Sequence, residues 1–137
     1  MRKRAVLVAN DLCIGYRTGK RETLVHRDIN LTLYTGQLTS LLGANGVGKS
    51  TLLRTLSGSQ PSLSGTLMLN DKPLSSYSEK EKSKNIGVVL TDKTQAGGLT
   101  VYELVALGRQ PHTGFFGRLH KSDHAIIEKT LSWVGII

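Results

Sequence analysis

The stretch that decides the fold is GANGVGKST, which runs from Gly43 to Thr51. Its fixed residues follow the spacing Gly-x-x-x-x-Gly-Lys-Ser, the P-loop pattern for binding phosphate. Glycines permit positive φ angles, so successive backbone N–H groups can turn inward and form a nest for an anion. We predict that this nest is built around Gly43, Gly46 and Gly48, with Val47 also among the nucleotide-binding residues.

The three residues after the nest carry the polar side chains of the motif. Lys49 is expected to reach the β- and γ-phosphates of a nucleotide, and Ser50 to ligate Mg²⁺ through its hydroxyl. Thr51 is expected to donate a further hydrogen bond. A helix that begins here would add its positive end to the same place.

The segments that flank the loop have the composition that a P-loop requires. Leu38–Leu42 is short and mostly apolar, which predicts a buried strand. Downstream, the leucines at 52, 53 and 56 fall on one face of a predicted helix that ends near Gly58. Strand, glycine loop and helix therefore follow in the order of a phosphate-binding unit.

Further strands and helices are predicted from periodicity and turn residues. Ala5–Leu12, Leu24–Leu33 and Gly65–Leu69 read as strands, with a polar loop over 17–21 and a turn at Asn70-Asp71. The run Ile86–Leu90 is apolar throughout and predicts a central strand.

Three helices are predicted after the third strand. They cover Ser78–Lys84, Val101–Leu107 and Ser122–Trp133. The second should begin with a capping box formed by Thr100 and Glu103. In the last helix, the residues expected to face inward are Ile126, Ile127, Leu131 and Val134.

Composition excludes several classes of protein. The chain has 137 residues, and its single cysteine, Cys13, leaves no internal disulfide framework and no cysteine-based zinc site. Cys13 is expected to be a half-buried strand residue. No apolar stretch approaches the ~18 residues of a membrane span, and the run from Ala5 to Ala9 is too short for a secretory signal. The chain ends on apolar residues 134–137, so we expect it to be the N-terminal part of a longer protein.

Four features together resemble the nucleotide-binding subunit of an ABC transporter. The first is Leu41–Leu53, which includes an asparagine, Asn45, that many P-loop proteins lack. The second is Tyr16 at the end of an early strand, and the third is the spacing Pro61-x-x-x-Gly65. The fourth is the segment over residues 99–112, followed by Gly-Phe-Phe-Gly-Arg. This segment is similar to the one found in importers of iron–siderophore, haem or cobalamin.

The resemblance implies an α/β fold of the P-loop NTPase type, with an antiparallel β subdomain and the start of a helical subdomain. Its parts would be an antiparallel β region at 1–35, a P-loop core at 36–90, and a loop and helical region at 91–137. The implied cofactors are ATP and Mg²⁺, with Asn45 among the nucleotide contacts and Tyr16 stacked on the adenine. The implied partners are a second copy of the ATPase subunit and integral membrane permease subunits, with the chain on the inner face of the cell membrane and no nucleic acid bound.

The sequence departs from the family where the γ-phosphate is sensed. The family has a Mg²⁺-contacting glutamine after the strand at 86–90, and Thr91 stands there, with Gln95 four residues later as the alternative. Arg109 and His112 fall where the family contacts its membrane subunits. The 137 residues hold no LSGGQ segment at the family's position after the helical region, no strand ending in Asp-Glu there and no late switch histidine. We therefore assign no catalytic residue, and expect ATP binding without turnover.

Two other interpretations remain open from the residues. A self-contained P-loop NTPase would use Asp92 as its Walker B aspartate, at the end of the strand that begins at Ile86. The net charge of +8 would also suit a non-catalytic module that binds nucleic acid, or a related ABC-type ATPase that works on nucleic acid, but aromatic residues make up only 5% and form no visible stacking platform.

Overall fold

The structure is a computed structural model that describes residues 3–89, 91, 97–114 and 116–137. The chain divides into two compact units. The first extends to Lys82 and the second begins at Ser83, and each is described by itself. None of the described helices is both long enough and apolar enough to cross a membrane.

The first unit is built on a four-stranded antiparallel sheet. Its strands are β1 (Ala5–Thr18), β2 (Arg21–Tyr34), β3 (Ser64–Leu69) and β4 (Lys72–Pro73), in the spatial order β2-β1-β3-β4. Central strand β1 is flanked on both sides, which explains why it supplies most of the buried apolar residues of this unit.

The first two strands are longer than the sequence predicted. The prediction of a polar loop over 17–21 is wrong, because β1 continues to Thr18 and β2 starts at Arg21. The chain reverses at Gly19, whose φ is 59°. An ion pair between Arg17 and Glu22, with N and O 2.5 Å apart, joins the two strands next to the turn. Cross-strand pairing of this kind lets polar residues continue a ladder.

Helix α1 (Lys49–Leu56) covers one face of this sheet. The core consists of Ala9, Leu12 and Ile14 of β1, against which Leu52 and Leu56 of the helix are packed. Leu53 was predicted on the same face, but it is 57% exposed. The prediction for Leu53 is wrong because the face that meets the sheet also includes the buried Thr51 and Thr55, which turns residue 53 toward solvent.

Two predicted strands are absent from the described residues. Leu38–Leu42 and residues 86–89 have no strand assignment, and Leu42 and Val89 are 88% and 99% exposed. A strand exists only where its backbone groups have a ladder partner, and neither segment has one among the described residues of its own unit. Most of their apolar side chains are consequently exposed, and Ile86 is half-buried.

The connection after β3 follows the prediction. Asn70 and Asp71 both have positive φ, 48° and 64°, and form the tight turn between β3 and β4. Such left-handed pairs are typical of two-residue hairpin turns. A 3₁₀ turn at Leu74–Ser76 then leads to α2 (Glu79–Asn85), one residue later than predicted.

The second unit contains α3 (Val101–Leu107), a 3₁₀ turn at Gln110–His112, and α4 (Lys121–Trp133). The capping box between Thr100 and Glu103 is confirmed.

The packing of α4 matches the prediction only in part. Ile127 and Leu131 are buried as expected, whereas Ile126 and Val134 are 42% and 63% exposed. The prediction for these two is wrong because α4 buries a narrow stripe, which Asp123 completes one turn earlier.

Candidate functional site

The glycine loop and the start of α1 present a group of unpaired backbone donors. Gly46 and Gly48 have φ angles of 81° and 104°, a backbone conformation that residues other than glycine rarely adopt. Gly48 is the N-cap of α1 and provides no side-chain cap. Among the described residues, the backbone N–H groups of Gly46, Gly48, Lys49 and Ser50 donate no hydrogen bond. These donors and the helix dipole favour an anion at this place.

The Lys49 side chain bends back over the loop. Its Nζ donates to the carbonyl oxygens of Gly43 and Ala44, at 2.6 and 2.7 Å. A charged ammonium seeks strong acceptors, and the loop carbonyls serve that purpose here. Phosphate oxygens carry more negative charge than carbonyls, so they can replace them as acceptors. The loop therefore fits a phosphate chain in both its backbone and its side-chain donors.

The hydroxyl of Ser50 is available to a metal ion. Ser50 is exposed, and its hydroxyl makes no hydrogen bond within the described part of the chain. A hydroxyl oxygen with free lone pairs is a suitable ligand for Mg²⁺, which usually retains several waters and phosphate oxygens as its other ligands. No group of three or more His, Cys, Asp or Glu residues capable of holding a metal occurs in the described ranges.

The structure brings Tyr16 to the start of α1. The Tyr16 hydroxyl and Thr51 Oγ1 lie 2.7 Å apart, and either oxygen can be the donor. Thr51 is only 4% exposed, whereas Tyr16 is 43% exposed. The ring therefore has an accessible surface beside the phosphate loop.

A cavity of about 250 Å³ also borders Tyr16. Its other walls include Gly15 and the connector residues Gln60 and Pro61. Gln60 donates its side-chain amide to the Gly15 carbonyl, which fixes this connector against β1. The neighbourhood of Tyr16 thus combines an aromatic surface with a connector that is hydrogen-bonded to β1.

Sequence reasoning missed one residue that touches the loop. His26 of β2 places its Nε2 atom 2.6 Å from the carbonyl oxygen of Val47. Val47 and Asn45 are exposed, and among the described residues His26 links the part of the loop before α1 to the sheet by a side-chain hydrogen bond. No spacing rule marks His26, because the contact joins positions 21 residues apart.

The candidates for γ-phosphate sensing belong to another part of the chain. Thr91 is an exposed residue in a bend of the second unit. Gln95 lies outside the described residues, and so does Asp92.

Arg109 and His112 have different environments in the second unit. Arg109 Nε donates to Asp123 Oδ1 at 2.8 Å, and Asp123 is 3% exposed. The hydrogen bond from the His120 backbone N–H holds the pKa of the Asp123 carboxyl below its usual range, and the hydrogen bond from the Arg109 guanidinium adds a smaller effect in the same direction. Arg109 is thus engaged within its own unit, whereas His112 is exposed.

The chain matches a family model over most of its length. The model described as "ABC transporter" covers residues 26–137. This range includes the whole glycine loop and α1, and it leaves out Tyr16.

Curated relatives extend the match toward the N terminus. The iron(3+)-hydroxamate import ATP-binding protein FhuC of Bacillus subtilis is 38% identical over 95% of this chain and 47% of its own length. The ferric enterobactin transport ATP-binding protein FepC of Escherichia coli is 37% identical over 96% of this chain and 47% of its own. The hemin import ATP-binding protein HmuV of Rhodopseudomonas palustris is 39% identical over 89% and 44%. The chain thus spans about half the length of the relatives it matches.

Solved structures share the fold. CbiO1 of Clostridium perfringens, described as part of the ABC transporter complex cbiONQ, superposes with a TM-score of 0.72 and 28% identity, over 96% of this chain and 51% of that one. The ATP-binding cassette MJ0796, solved as a dimer bound to ADP and Pi, gives a TM-score of 0.71 over 92% of this chain and 56% of its own, at 19% identity. The latter similarity concerns the fold alone.

Proposed function

The chain belongs to the ABC transporter family, and from this premise we propose that it binds ATP together with Mg²⁺ as part of the ATP-binding subunit of an importer. The cargo class we propose is iron–siderophore, haem or cobalamin. The names of FhuC and FepC support the iron chelates and that of HmuV supports haem, whereas cobalamin rests on the sequence resemblance alone. The fold is accordingly that of a P-loop NTPase domain, with its antiparallel β subdomain and helical elements.

One observation carries the proposal of phosphate binding. The unpaired N–H groups of residues 46 and 48–50 surround the same loop over which Lys49 Nζ lies, bound to the Gly43 and Ala44 carbonyls. Unpaired donors plus a movable cation are the arrangement that an anionic chain satisfies best. We assign the β- and γ-phosphates to Lys49, and a further phosphate oxygen to the Thr51 hydroxyl once it leaves Tyr16.

The adenine is assigned to Tyr16. Its ring is accessible, and its hydroxyl lies within hydrogen-bond distance of the helix that follows the phosphate loop. A base that stacks on a ring at this place keeps its phosphates within reach of Gly48 and Lys49. Asn45 and Val47 are proposed to line the phosphate chain from the outer part of the loop.

Magnesium is proposed to bind through Ser50 and the phosphates. The ion would neutralise charge on the phosphate chain, and Ser50 would orient it by one oxygen contact. Thr91 and Gln95 are the candidates for a second contact, of which Thr91 has the shorter side chain.

We propose that these 137 residues hold ATP without hydrolysing it. Phosphoryl transfer depends on positioning and on charge stabilisation, and after the helical region the sequence carries neither an LSGGQ segment nor a strand ending in Asp-Glu. In the importer, the subunit would work beside a second copy and on permease subunits at the inner face of the membrane, with His112 in the region that meets them.

Nucleotide titration tests this function directly. ATP and ADP should bind to the chain with Mg²⁺, and adenosine should bind at least about tenfold more weakly because it lacks the phosphates. Calorimetry gives the three affinities. When the ATP titration is repeated with EDTA to remove Mg²⁺, the affinity for ATP should fall. Equal affinity for adenosine and ATP would contradict phosphate recognition. Sustained phosphate release from the same sample would contradict binding without turnover.

Substitutions of Tyr16 test the assignment of the adenine. Tyr16→Ala should weaken ATP by about tenfold, because base–aromatic stacking contributes roughly 1–3 kcal/mol. Tyr16→Phe keeps the ring and should remain within about threefold of the unchanged chain. Inorganic pyrophosphate should bind equally well to all three proteins. If Phe and Ala weakened ATP alike, the hydroxyl contact to Thr51 would matter and the stacking would not.

A further inference from the structure

We propose that His26 is a positioning residue that fixes the direction of one phosphate-binding N–H group, that of Gly48. This inference rests on the proposed binding of ATP at the loop. It begins from the contact between His26 Nε2 and the Val47 carbonyl oxygen, which are 2.6 Å apart. A carbonyl oxygen only accepts, so Nε2 carries the hydrogen and donates.

The geometry of the peptide bond transmits this contact to the next residue. The bond between Val47 and Gly48 is planar and trans, so its C=O and its N–H point in opposite directions. With the carbonyl held toward β2, the N–H of Gly48 must point away from β2. That N–H has no acceptor among the described residues, so it remains free for an anion.

The histidine itself is held on a rigid element. In the sheet, His26 is the register partner of Ile14, which is fully buried, and its neighbour Val25 packs against the core. A Cβ atom built on Gly48 would lie 2.6 Å from Val25 Cγ1 and 3.2 Å from His26 Cδ2. The loop therefore passes directly against β2. The imidazole contacts the Val47 carbonyl from a residue whose backbone is held in the sheet.

The other hydrogen bonds of the loop do not supply this restraint. Val47 N–H donates to Ala44, Leu52 N–H donates to Gly48, and Lys49 Nζ donates to carbonyls of the loop. All of these bonds stay within residues 43–52. Tyr16 of β1 also contacts this stretch, but its partner is Thr51 in the helix, beyond the Val47–Gly48 peptide. Among the described residues, the His26 contact is the hydrogen bond that joins residues 43–48 to the sheet. Without it, the Val47–Gly48 peptide can rotate, since glycine tolerates both signs of φ.

Two substitutions of similar size separate a hydrogen-bond donor from simple bulk. His26→Leu keeps an apolar side chain of comparable volume but removes the donor. His26→Gln retains an amide N–H of similar reach. The affinities to be measured are those for ATP, inorganic pyrophosphate and adenosine, each with a thermal unfolding curve of the same protein.

The expected result is a loss confined to phosphate binding and to one variant. His26→Leu should weaken ATP and pyrophosphate by about tenfold, equivalent to about 1.4 kcal/mol, with adenosine and the unfolding temperature unchanged. His26→Gln should stay within about threefold of the unchanged chain. Equal losses of ATP affinity in His26→Leu and His26→Gln would overturn the role of His26. So would an unchanged ATP affinity in His26→Leu, or a fall in its adenosine affinity as large as the fall in its ATP affinity. Failure of the unchanged chain to bind ATP or pyrophosphate would instead overturn the proposed function itself, and this inference with it.

Discussion

Replacing Lys49 by alanine is expected to weaken ATP binding by about two orders of magnitude. The Lys49 ammonium already makes two hydrogen bonds over the loop, at 2.6 and 2.7 Å, and ATP would supply charged acceptors in place of neutral carbonyls. A hydrogen bond to a charged group contributes roughly 1.5–3 kcal/mol, so the loss of two such bonds at the lower end of this range, about 3 kcal/mol together, corresponds to roughly a hundredfold in affinity. Calorimetric titration of the variant measures this loss.

A matched control distinguishes the site from the general basic charge of the chain. Lys72→Ala removes the same charge from the same unit, at β4 on the opposite edge of the sheet from β2. Lys72 lies over the Tyr77 ring and is paired with Glu81, so its removal should leave ATP affinity within about twofold. If both alanine variants weakened ATP equally and the loss vanished in high salt, binding would reflect the net charge of +8 and not a defined loop.

The parts of the fold that the sequence predicted well are those that depend on local chemistry. The capping box at Thr100 and Glu103 needs only residues three apart, and the structure has it. The same is true of the turn at Asn70 and Asp71, whose side chains tolerate positive φ. Strand β2 was recognised from the alternation of its apolar residues. In each case the information lies within a few residues of the element itself.

Predictions that depended on a distant partner were less successful. Leu38–Leu42 and residues 86–89 have the composition of buried strands, but composition cannot supply the neighbouring strand that a ladder needs. In the described residues they have no such neighbour, and Leu38 is 97% exposed. The prediction that Ile126 is buried failed for a related reason, since helical spacing gives the apolar face but not the width of the surface that covers it.

The candidate site divides in the same way. The spacing from Gly43 to Thr51 is sufficient to predict a phosphate loop, because one contiguous stretch provides the backbone donors and Lys49. The resemblance to a family pointed to Tyr16, and the structure places its hydroxyl on Thr51. His26 could not be found this way, since it reaches the loop only after β2 has paired with β1.

Replacing Gly65 by alanine is expected to destabilise the first unit by about 3 kcal/mol or more. Gly65 has a φ of 85°, which costs a residue with a Cβ roughly 1–2 kcal/mol. A Cβ here would also lie 2.3 Å from the Asp11 carbonyl oxygen and 2.6 Å from Leu12 Cα. Both atoms belong to the backbone of β1, so neither can move without disturbing the ladder between β1 and β3. Urea unfolding followed by circular dichroism measures the loss.

Two other glycines separate the steric clash from the cost of the backbone angle. Gly19 and Gly36 have φ angles of 59° and 70°, yet a Cβ at either position meets nothing within 4 Å. Their alanine variants should therefore lose only about 1–2 kcal/mol. Equal losses at all three positions would contradict the clash at Gly65. Since β1 carries Tyr16 and supports α1 through Leu12, the Gly65 variant should also lose ATP affinity, and should regain it wherever ligand or temperature restores the folded state.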